Sequence, residues 1–215
     1  MKENILREKI CEFGKSMFDR GLTHGSTGNI SALNDDGDLL VTPTGFSFGR
    51  LIPEDIVKVT CSGKIIGKNK PTKELFLHQA FYETDNKQTG AVFHLHSTHS
   101  VAYSMLPGLD EDNVFPALTP YSIMLLGKVK LLPFFVPGDP ALGKEIRGIA
   151  GKRSAVLLAN HGPVVAGKNL ESAANAIEEL ENTAKLALIL SGQKPRLLNN
   201  KNVNDVINKF NIEWD

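Results

Sequence analysis

The chain has 215 residues, of which 41% are hydrophobic and 22% are charged, a composition typical of a globular protein. Lysine plus arginine and aspartate plus glutamate number 24 each, so no net charge favours nucleic acid or an anionic membrane as a partner. Because the chain has no signal-peptide pattern, no apolar run of the ~20 residues that span a bilayer and no disulfide framework, we predict a cytoplasmic protein.

The first half of the chain predicts a helix, several short strands and a second helix. Apolar residues recur at helical spacing in the opening segment, which predicts an amphipathic helix with a core-facing stripe of Leu6, Ile10, Phe13 and Met17. A polar loop at 23–29 follows, and strands at 30–33 and 39–41 flank a hairpin turn. The second helix is predicted to begin near Thr72.

The second half of the chain predicts further strands and the longest helix. An apolar, strand-like run at 91–96 comes first, and a helix at 141–151 precedes buried strands at 155–159 and 163–167. The longest helix is predicted over 170–190, with a solvent-facing acidic surface formed by Glu178, Glu179 and Glu181.

The order of these elements has no regular strand–helix–strand alternation, and no low-complexity linker interrupts it. It therefore predicts a single α/β domain over residues 1–215, with a core at about 5–190 and a C-terminal tail at 191–215. The central sheet is expected to be largely antiparallel or mixed, with helices flanking it.

Two histidines stand two residues apart in the run at 91–96. Successive strand side chains point to opposite faces, so His94 and His96 share one face while Leu95 points away. Two imidazoles on one face suit a single metal ion. A pair of histidines that are hydrogen-bonded within the sheet is the alternative, and the pattern by itself leaves both interpretations open.

His161 follows the predicted strand at 155–159 and precedes a tight turn, where its side chain can project at the edge of the sheet. Together with His94 and His96 it would form a three-histidine site with an open coordination position. We therefore favour His161 as the third ligand.

Two other histidines compete for that role. His99 would extend the pair along the chain, but the turn that begins at 97–98 separates its ring from the shared face. His78 lies four residues after Glu74 on the same face of the second helix, and we interpret it as a hydrogen-bonded helix histidine.

Glu74 and three small-residue segments complete the candidate residues. Glu74 is either an acid in the first turn of the second helix or a carboxylate beside the metal that acts as ligand or general base, and both interpretations stay open. The segments at 25–29, 42–45 and 72–73 offer backbone N–H groups, hydroxyls and a helix N-terminus, which phosphate favours. None of the three matches a Walker or dinucleotide fingerprint.

In this combination the motifs resemble the class II aldolase and ribulose-phosphate epimerase family. The resemblance covers about residues 5 to 190, and its matching segments are Gly28-Asn29, Thr44-Gly45, Thr72-Lys73-Glu74, His94-Leu95-His96 and His161-Gly162. It implies a three-layer α/β/α domain, assembled as a homotetramer with sites near the subunit boundaries.

The resemblance also implies roles for individual residues. One zinc ion per subunit would be held by His94, His96 and His161, with Glu74 alternating between metal ligand and proton carrier. Tyr121 is similar to a catalytic tyrosine that reaches the site of a neighbouring subunit. The phosphate-binding positions of the family match Gly28, Asn29, Thr44, Gly45, Thr72 and Lys73.

Within the family, the chain looks most like the 3-oxo-tetronate 4-phosphate decarboxylase branch. Thr72-Lys73 replaces a serine pair of the aldolases, and Glu74 replaces an aspartate of the epimerases. The branch resemblance lies in the strings HLHST, TPYSIMLLG, VPGDP, LLANHGPVVAG and EELENTAKL. It implies loss of carbon dioxide from a phosphorylated sugar acid through a metal-stabilised enediolate, which Glu74 protonates to dihydroxyacetone phosphate in the catabolism of four-carbon sugar acids.

Two other functions are compatible with the same resemblance. One is an aldolase of the fuculose-phosphate type that cleaves a phosphorylated ketose, and the other is a metal-free binding module like the adducin head. Lys73 would contact either the phosphate or the departing carboxylate of the substrate. We favour the phosphate, because an ion pair with the carboxylate would stabilise the ground state and oppose decarboxylation.

Overall fold

The computed structural model describes residues 1–84 and 89–214. Within these ranges, eight strands form one sheet. The strands are β1 (Asn29–Leu33), β2 (Leu39–Val41), β3 (Val57–Val59), β4 (Ile65–Ile66), β5 (Ala91–His94), β6 (Lys130–Leu132), β7 (Ala155–Leu158) and β8 (Gly162–Gly167). Their spatial order is β4-β3-β2-β1-β5-β8-β7-β6. All neighbouring pairs are antiparallel except β6 and β7, which confirms the predicted mixed sheet.

The same ranges contain seven α-helices and two short 3-10 helices. The α-helices are α1 (Glu3–Asp19), α2 (Leu75–Thr84), α3 (Thr98–Ser104), α4 (Pro120–Leu126), α5 (Pro140–Ile149), α6 (Leu170–Ile189) and α7 (Asn200–Phe210). The 3-10 helices are Phe48–Arg50 and Pro53–Asp55. No helix among the described residues is both long and apolar enough to span a membrane.

The helices form two layers, one on each face of the sheet, and successive side chains of the central strands point alternately to the two layers. Phe93 of β5 packs into one core with α1, α3, α4 and α6, while its neighbour Val92 packs into a second core with α2 and α5. The predicted three-layer α/β/α architecture is therefore confirmed. Because His94 alternates with Phe93, it shares the α2 face with Val92, and that face carries the candidate site.

The apolar stripe of the first helix lies in the core as predicted, with Leu6, Ile10 and Met17 buried and Phe13 packed partly buried against them. The His-x-His strand is shorter than its apolar run. Strand β5 ends at His94, and the backbone N–H of Leu95 still donates to Pro163 of β8. Pro163 has no N–H with which to extend the pairing, so His96 lies beyond the strand end.

The prediction of a solvent-facing acidic surface on α6 is wrong for Glu181. Its side chain is buried and accepts hydrogen bonds from the backbone N–H groups of His99 and Ser100 and from the Ser100 hydroxyl. The His99 ring Nδ1 lies 2.7 Å from the same carboxylate. Glu181 thus satisfies the free N–H groups at the start of α3, directly after His96, which the charge pattern of α6 alone did not reveal.

Glu181→Ala is expected to lower the free energy of unfolding by about 3 kcal/mol, because it removes the acceptor of three donors, of which the two on Ser100 are buried. Burial acts to raise the pKa of Glu181, but the hydrogen bonds from Ser100 and His99 outweigh it, so the pKa lies below the usual 4.5. The stabilisation is therefore complete above about pH 4.5 and is lost as the pH falls through the folded-state pKa.

Urea unfolding of both proteins from pH 7 to pH 3 measures this difference, which should shrink on the acid side. Glu171→Ala, an exposed change on the same helix, should cost less than about 1 kcal/mol at every pH. A Glu181→Ala variant as stable as the wild type at pH 7 would contradict the proposed cap of α3.

Candidate metal centre and substrate cavity

Four side chains converge at the end of β5. The potential ligand atoms of Glu74, His94, His96 and His161 all lie within 4.8 Å of one another. The Nε2 atoms of His94 and His96 are 3.1 Å apart. The two carboxylate oxygens of Glu74 lie 3.5 Å from Nε2 of His94 and 3.4 Å from Nε2 of His161. The structure thus brings together the residues that were predicted as metal ligands.

Each of these side chains comes from a different structural context. His94 ends β5, and His96 follows it in the segment that leads to α3. His161 occupies the turn between β7 and β8, and Glu74 lies in the turn just before α2. Strand β8 is the neighbour of β5 and α2 packs on the same face as His94, so the four side chains meet at one corner of the sheet.

Two glycines allow the backbone to approach this corner closely. A Cβ atom on Gly162 would lie 2.3 Å from the carbonyl oxygen of Leu95, and one on Gly28 would lie 2.9 Å from that of His94. Both glycines have positive φ values, +147° and +83°. Asn160, beside His161, adopts the left-handed conformation with φ of 59°, which asparagine tolerates better than most residues.

The hydrogen bonds and burial of the cluster leave ring nitrogens free to bind a cation. Nδ1 of His94 lies 2.9 Å from the backbone carbonyl of Pro163 and donates to it, so Nε2 is the ring nitrogen that faces the other three side chains. Burial, reinforced by His94, lowers the pKa of His96 to about 3 and that of His161 to about 4. Both rings are therefore neutral near pH 7.

Glu74 completes the set as a carboxylate. Burial acts to raise the pKa of Glu74. Electrostatic attraction to the His94 ring, a hydrogen bond from the Asn29 amide and attraction to the His161 ring outweigh burial, so the pKa is lowered. Three imidazoles and one carboxylate form a ligand set that Zn²⁺ accepts. A single hydrogen bond between His94 and His96 would occupy two ring nitrogens and leave the convergence of the other two side chains unexplained, so the residues fit a metal ion.

The cluster opens into a cavity of about 780 Å³. All six residues predicted to bind phosphate line this cavity: Gly28, Asn29, Thr44, Gly45, Thr72 and Lys73. Among the described lining residues, Glu74 is the only carboxylate and Lys73 the only lysine or arginine. Sequence reasoning did not single out the remaining wall, which includes His24, Val101, Ala102, Met105, Phe134 and Asn160.

Comparison with known proteins identifies the family. The model of the Class II Aldolase and Adducin N-terminal domain family matches residues 8–188. This chain belongs to that family. The prediction of a class II aldolase-type chain is therefore confirmed, and the four-residue cluster lies within the matched range.

Similar proteins within the family carry the name of the predicted branch. A 3-oxo-tetronate 4-phosphate decarboxylase of Escherichia coli O6:H1 is 47% identical over 196 residues, which are 91% of this chain and 92% of that protein. One from Haemophilus influenzae is 43% identical and covers 97% of this chain and 99% of its own. The crystal structure of Escherichia coli YgbL, a candidate aldolase, epimerase or decarboxylase, has a TM-score of 0.92 at 43% identity, covering 95% and 98% of the two chains. The predicted resemblance to the decarboxylase branch is confirmed.

Three other predicted residues lie outside the cluster. The ring of His99, the competing third ligand, pairs with Glu181 instead of the other histidines. His78 is fully buried and hydrogen-bonded, as predicted. Tyr121 of α4 is 60% exposed and does not line the cavity of its own chain, so its role at a neighbouring site of the class II aldolase assembly stays a prediction.

The side-chain amide of Asn29 is already engaged within the chain. Its Nδ2 donates to Oε2 of Glu74 at 2.8 Å, and its Oδ1 lies 2.5 Å from Nε2 of His78. The predicted phosphate contact of Asn29 stays a prediction, and it would draw on the second N–H of the amide group.

His161→Ala is expected to weaken zinc binding by roughly 100-fold or more, because it removes one of three imidazole ligands from the cluster. The measurement is a calorimetric zinc titration of metal-stripped protein, for which we expect one ion per wild-type chain. His99→Ala is the matched control, since it removes a histidine outside the cluster and should leave zinc affinity unchanged. Equal affinities for the two variants would contradict the assignment of His161.

Proposed function

We propose that this protein is a zinc-dependent carboxy-lyase that converts 3-oxo-tetronate 4-phosphate to dihydroxyacetone phosphate and carbon dioxide. The observation that carries the proposal is that Glu74, His96 and His161 of the cluster line the same cavity as all six predicted phosphate-binding residues. The 47% identity to a relative of that name, over 91% of the chain, supports this choice of substrate and reaction.

In this proposal His94, His96 and His161 hold the zinc ion, with Glu74 as an additional ligand that can leave it. When bound, the ion would act as a Lewis acid that stabilises negative charge developing on the substrate. Three neutral imidazoles leave the charge of the ion undiminished, which suits this task better than a set of several carboxylates.

Other residues of the cavity bind the substrate or transfer a proton to it. Loss of carbon dioxide leaves an electron pair on the adjacent carbon, and completing the product takes one proton to that carbon. Glu74 is the only carboxylate among the described residues of the cavity wall, and we assign it this proton transfer. Lys73 is assigned to the phosphate, together with the glycine-rich and threonine-rich loops that line the same cavity.

Part of the cavity wall is apolar, and we assign the departing carboxylate to it. Val101, Ala102, Met105 and Phe134 offer no cation to it. A carboxylate that lies against such a surface gains no ion pair that would have to be broken as neutral carbon dioxide forms.

We also infer a homotetramer in which Tyr121 serves the cavity of another subunit. The side chain of Tyr121 is 60% exposed on α4 and lies outside its own cavity, as a residue that acts in a neighbouring site would. Phe134 lines the cavity and is 59% exposed, so the cavity mouth lies at an apolar surface that a second subunit could cover.

The test is an assay of zinc-loaded protein on phosphorylated 3-oxo-tetronates derived from threonate and from erythronate, with carbon dioxide and aldehyde release both measured. We expect carbon dioxide and dihydroxyacetone phosphate in equal amounts. Glu74→Gln should lower kcat by roughly 100-fold or more, since it keeps the shape of the side chain but cannot carry the proton.

Glu171→Gln, on the exposed surface of α6, is the control and should leave kcat unchanged. Aldehyde release from a phosphorylated ketose without carbon dioxide would favour the aldolase alternative, one of the activities named for YgbL. A purified protein without metal and without activity on added zinc would contradict both enzymes and favour a binding module.

A further inference from the structure

A line of buried hydrogen bonds leads from α2 and β1 to Glu74. The hydroxyls of Tyr82 and Ser31 are 2.9 Å apart, and Ser31 Oγ lies 2.7 Å from Nδ1 of His78. Nε2 of His78 lies 2.5 Å from Oδ1 of Asn29, whose Nδ2 donates to Glu74 Oε2 at 2.8 Å. Ser31 and His78 have no exposed surface, so no solvent competes for the hydrogen bond between them.

This line of hydrogen bonds forms because side chains on α2 and on β1 have a similar spacing along the two elements. Glu74, His78 and Tyr82 are four residues apart, which places them along one face of α2 and its preceding turn, with a step of about 6 Å. Asn29 and Ser31 are two residues apart on β1, with a step of about 6.6 Å on one face. Because the two spacings are similar, side chains from α2 and β1 alternate along the line, and each forms a hydrogen bond with the next.

The Glu74 carboxylate, at one end of the line, determines which atom donates and which accepts in each hydrogen bond. Glu74 as a carboxylate can only accept, so it must face the NH₂ group of Asn29, whose oxygen then faces His78. His78 must donate from Nε2, and because burial lowers its pKa to about 3 the ring is neutral and Nδ1 accepts from Ser31. Burial also raises the pKa of the Tyr82 phenol, which stays protonated and donates to Ser31.

We propose that His78 is a positioning residue that, through Asn29, holds Oε2 of Glu74 in place and leaves Oε1 as the oxygen that carries the proton. A flipped Asn29 amide would set its oxygen against the carboxylate, and His78 prevents this by donating to that oxygen. The catalytic part of this inference rests on the proposed role of Glu74, while the bonding pattern of His78 does not depend on it.

The bonding pattern is measured by ¹⁵N NMR of histidine-labelled protein, loaded with zinc, from pH 6 to pH 8. The signal of His78 is assigned by its absence from the spectrum of His78→Gln. We expect a neutral ring with the proton on Nε2 throughout this range. A proton on Nδ1, or on both nitrogens, would overturn the inference whether or not the protein is active.

The functional consequence is measured by comparing His78→Leu, which cannot donate, with His78→Gln, whose amide can still reach Asn29. We expect His78→Leu to lower kcat by roughly 10-fold or more, with KM and the zinc stoichiometry unchanged. His78→Gln should recover much of the lost kcat. His99→Gln, the same change at a histidine bonded to Glu181, is the control and should leave kcat unchanged.

The outcomes separate this inference from the proposed function. Wild-type protein that is inactive on every substrate contradicts the proposed function, and the NMR result still decides the position of the His78 proton. Active wild type with a fully active His78→Leu variant overturns the positioning role alone. If His78→Leu does not fold, the kcat of His78→Gln and the position of the His78 proton remain as tests.

Discussion

The close backbone approach at the end of β5 is the constraint on which the candidate site depends. Gly28 lies so close to the carbonyl oxygen of His94, and Gly162 to that of Leu95, that a Cβ atom at either position would clash with that oxygen. Gly162 follows His161 directly, so this approach brings the third imidazole next to the other two. Gly28 likewise brings the loop at 25–29, which lines the cavity, next to the end of β5. The candidate ligands and the predicted phosphate-binding loops therefore meet at one corner because the backbone can pack tightly there.

Around that corner lie two carboxylates, one on each face of the sheet: Glu181 is buried, Glu74 is partly buried, and both have a pKa below the usual 4.5. Glu181 accepts hydrogen bonds from the start of α3, and Glu74 accepts one from Asn29 while it faces two imidazoles. Burying a charge is costly unless hydrogen bonds or counter-charges compensate it. Glu181 is compensated by donors alone and orients the segment after His96. Glu74 lacks a full set of donors, and a cation at the cluster would complete its compensation.

Much of the candidate site could be predicted from sequence, because residues on one face of a strand recur every two positions and those on one face of a helix about every four. Contacts between elements that are distant in the chain could not be predicted in this way. His94 and His96 were recognised by strand alternation, although β5 ends before His96 because Pro163 cannot continue the ladder. Glu181 looked like a surface residue because its partners lie about 80 residues earlier in the chain. His78 was correctly interpreted as hydrogen-bonded, but its link to Glu74 passes through β1, whose register with α2 no local pattern contains.

The central claim is that Nε2 atoms of His94, His96 and His161 surround one metal ion at this corner of the sheet. X-ray absorption of the protein loaded with one equivalent of zinc tests it most directly, with the His161→Ala variant recorded beside it. We expect three imidazole nitrogens at about 2.0–2.1 Å from zinc in the wild type and two in the variant. A first shell with fewer than three imidazoles, or one that is identical in the two proteins, would contradict it.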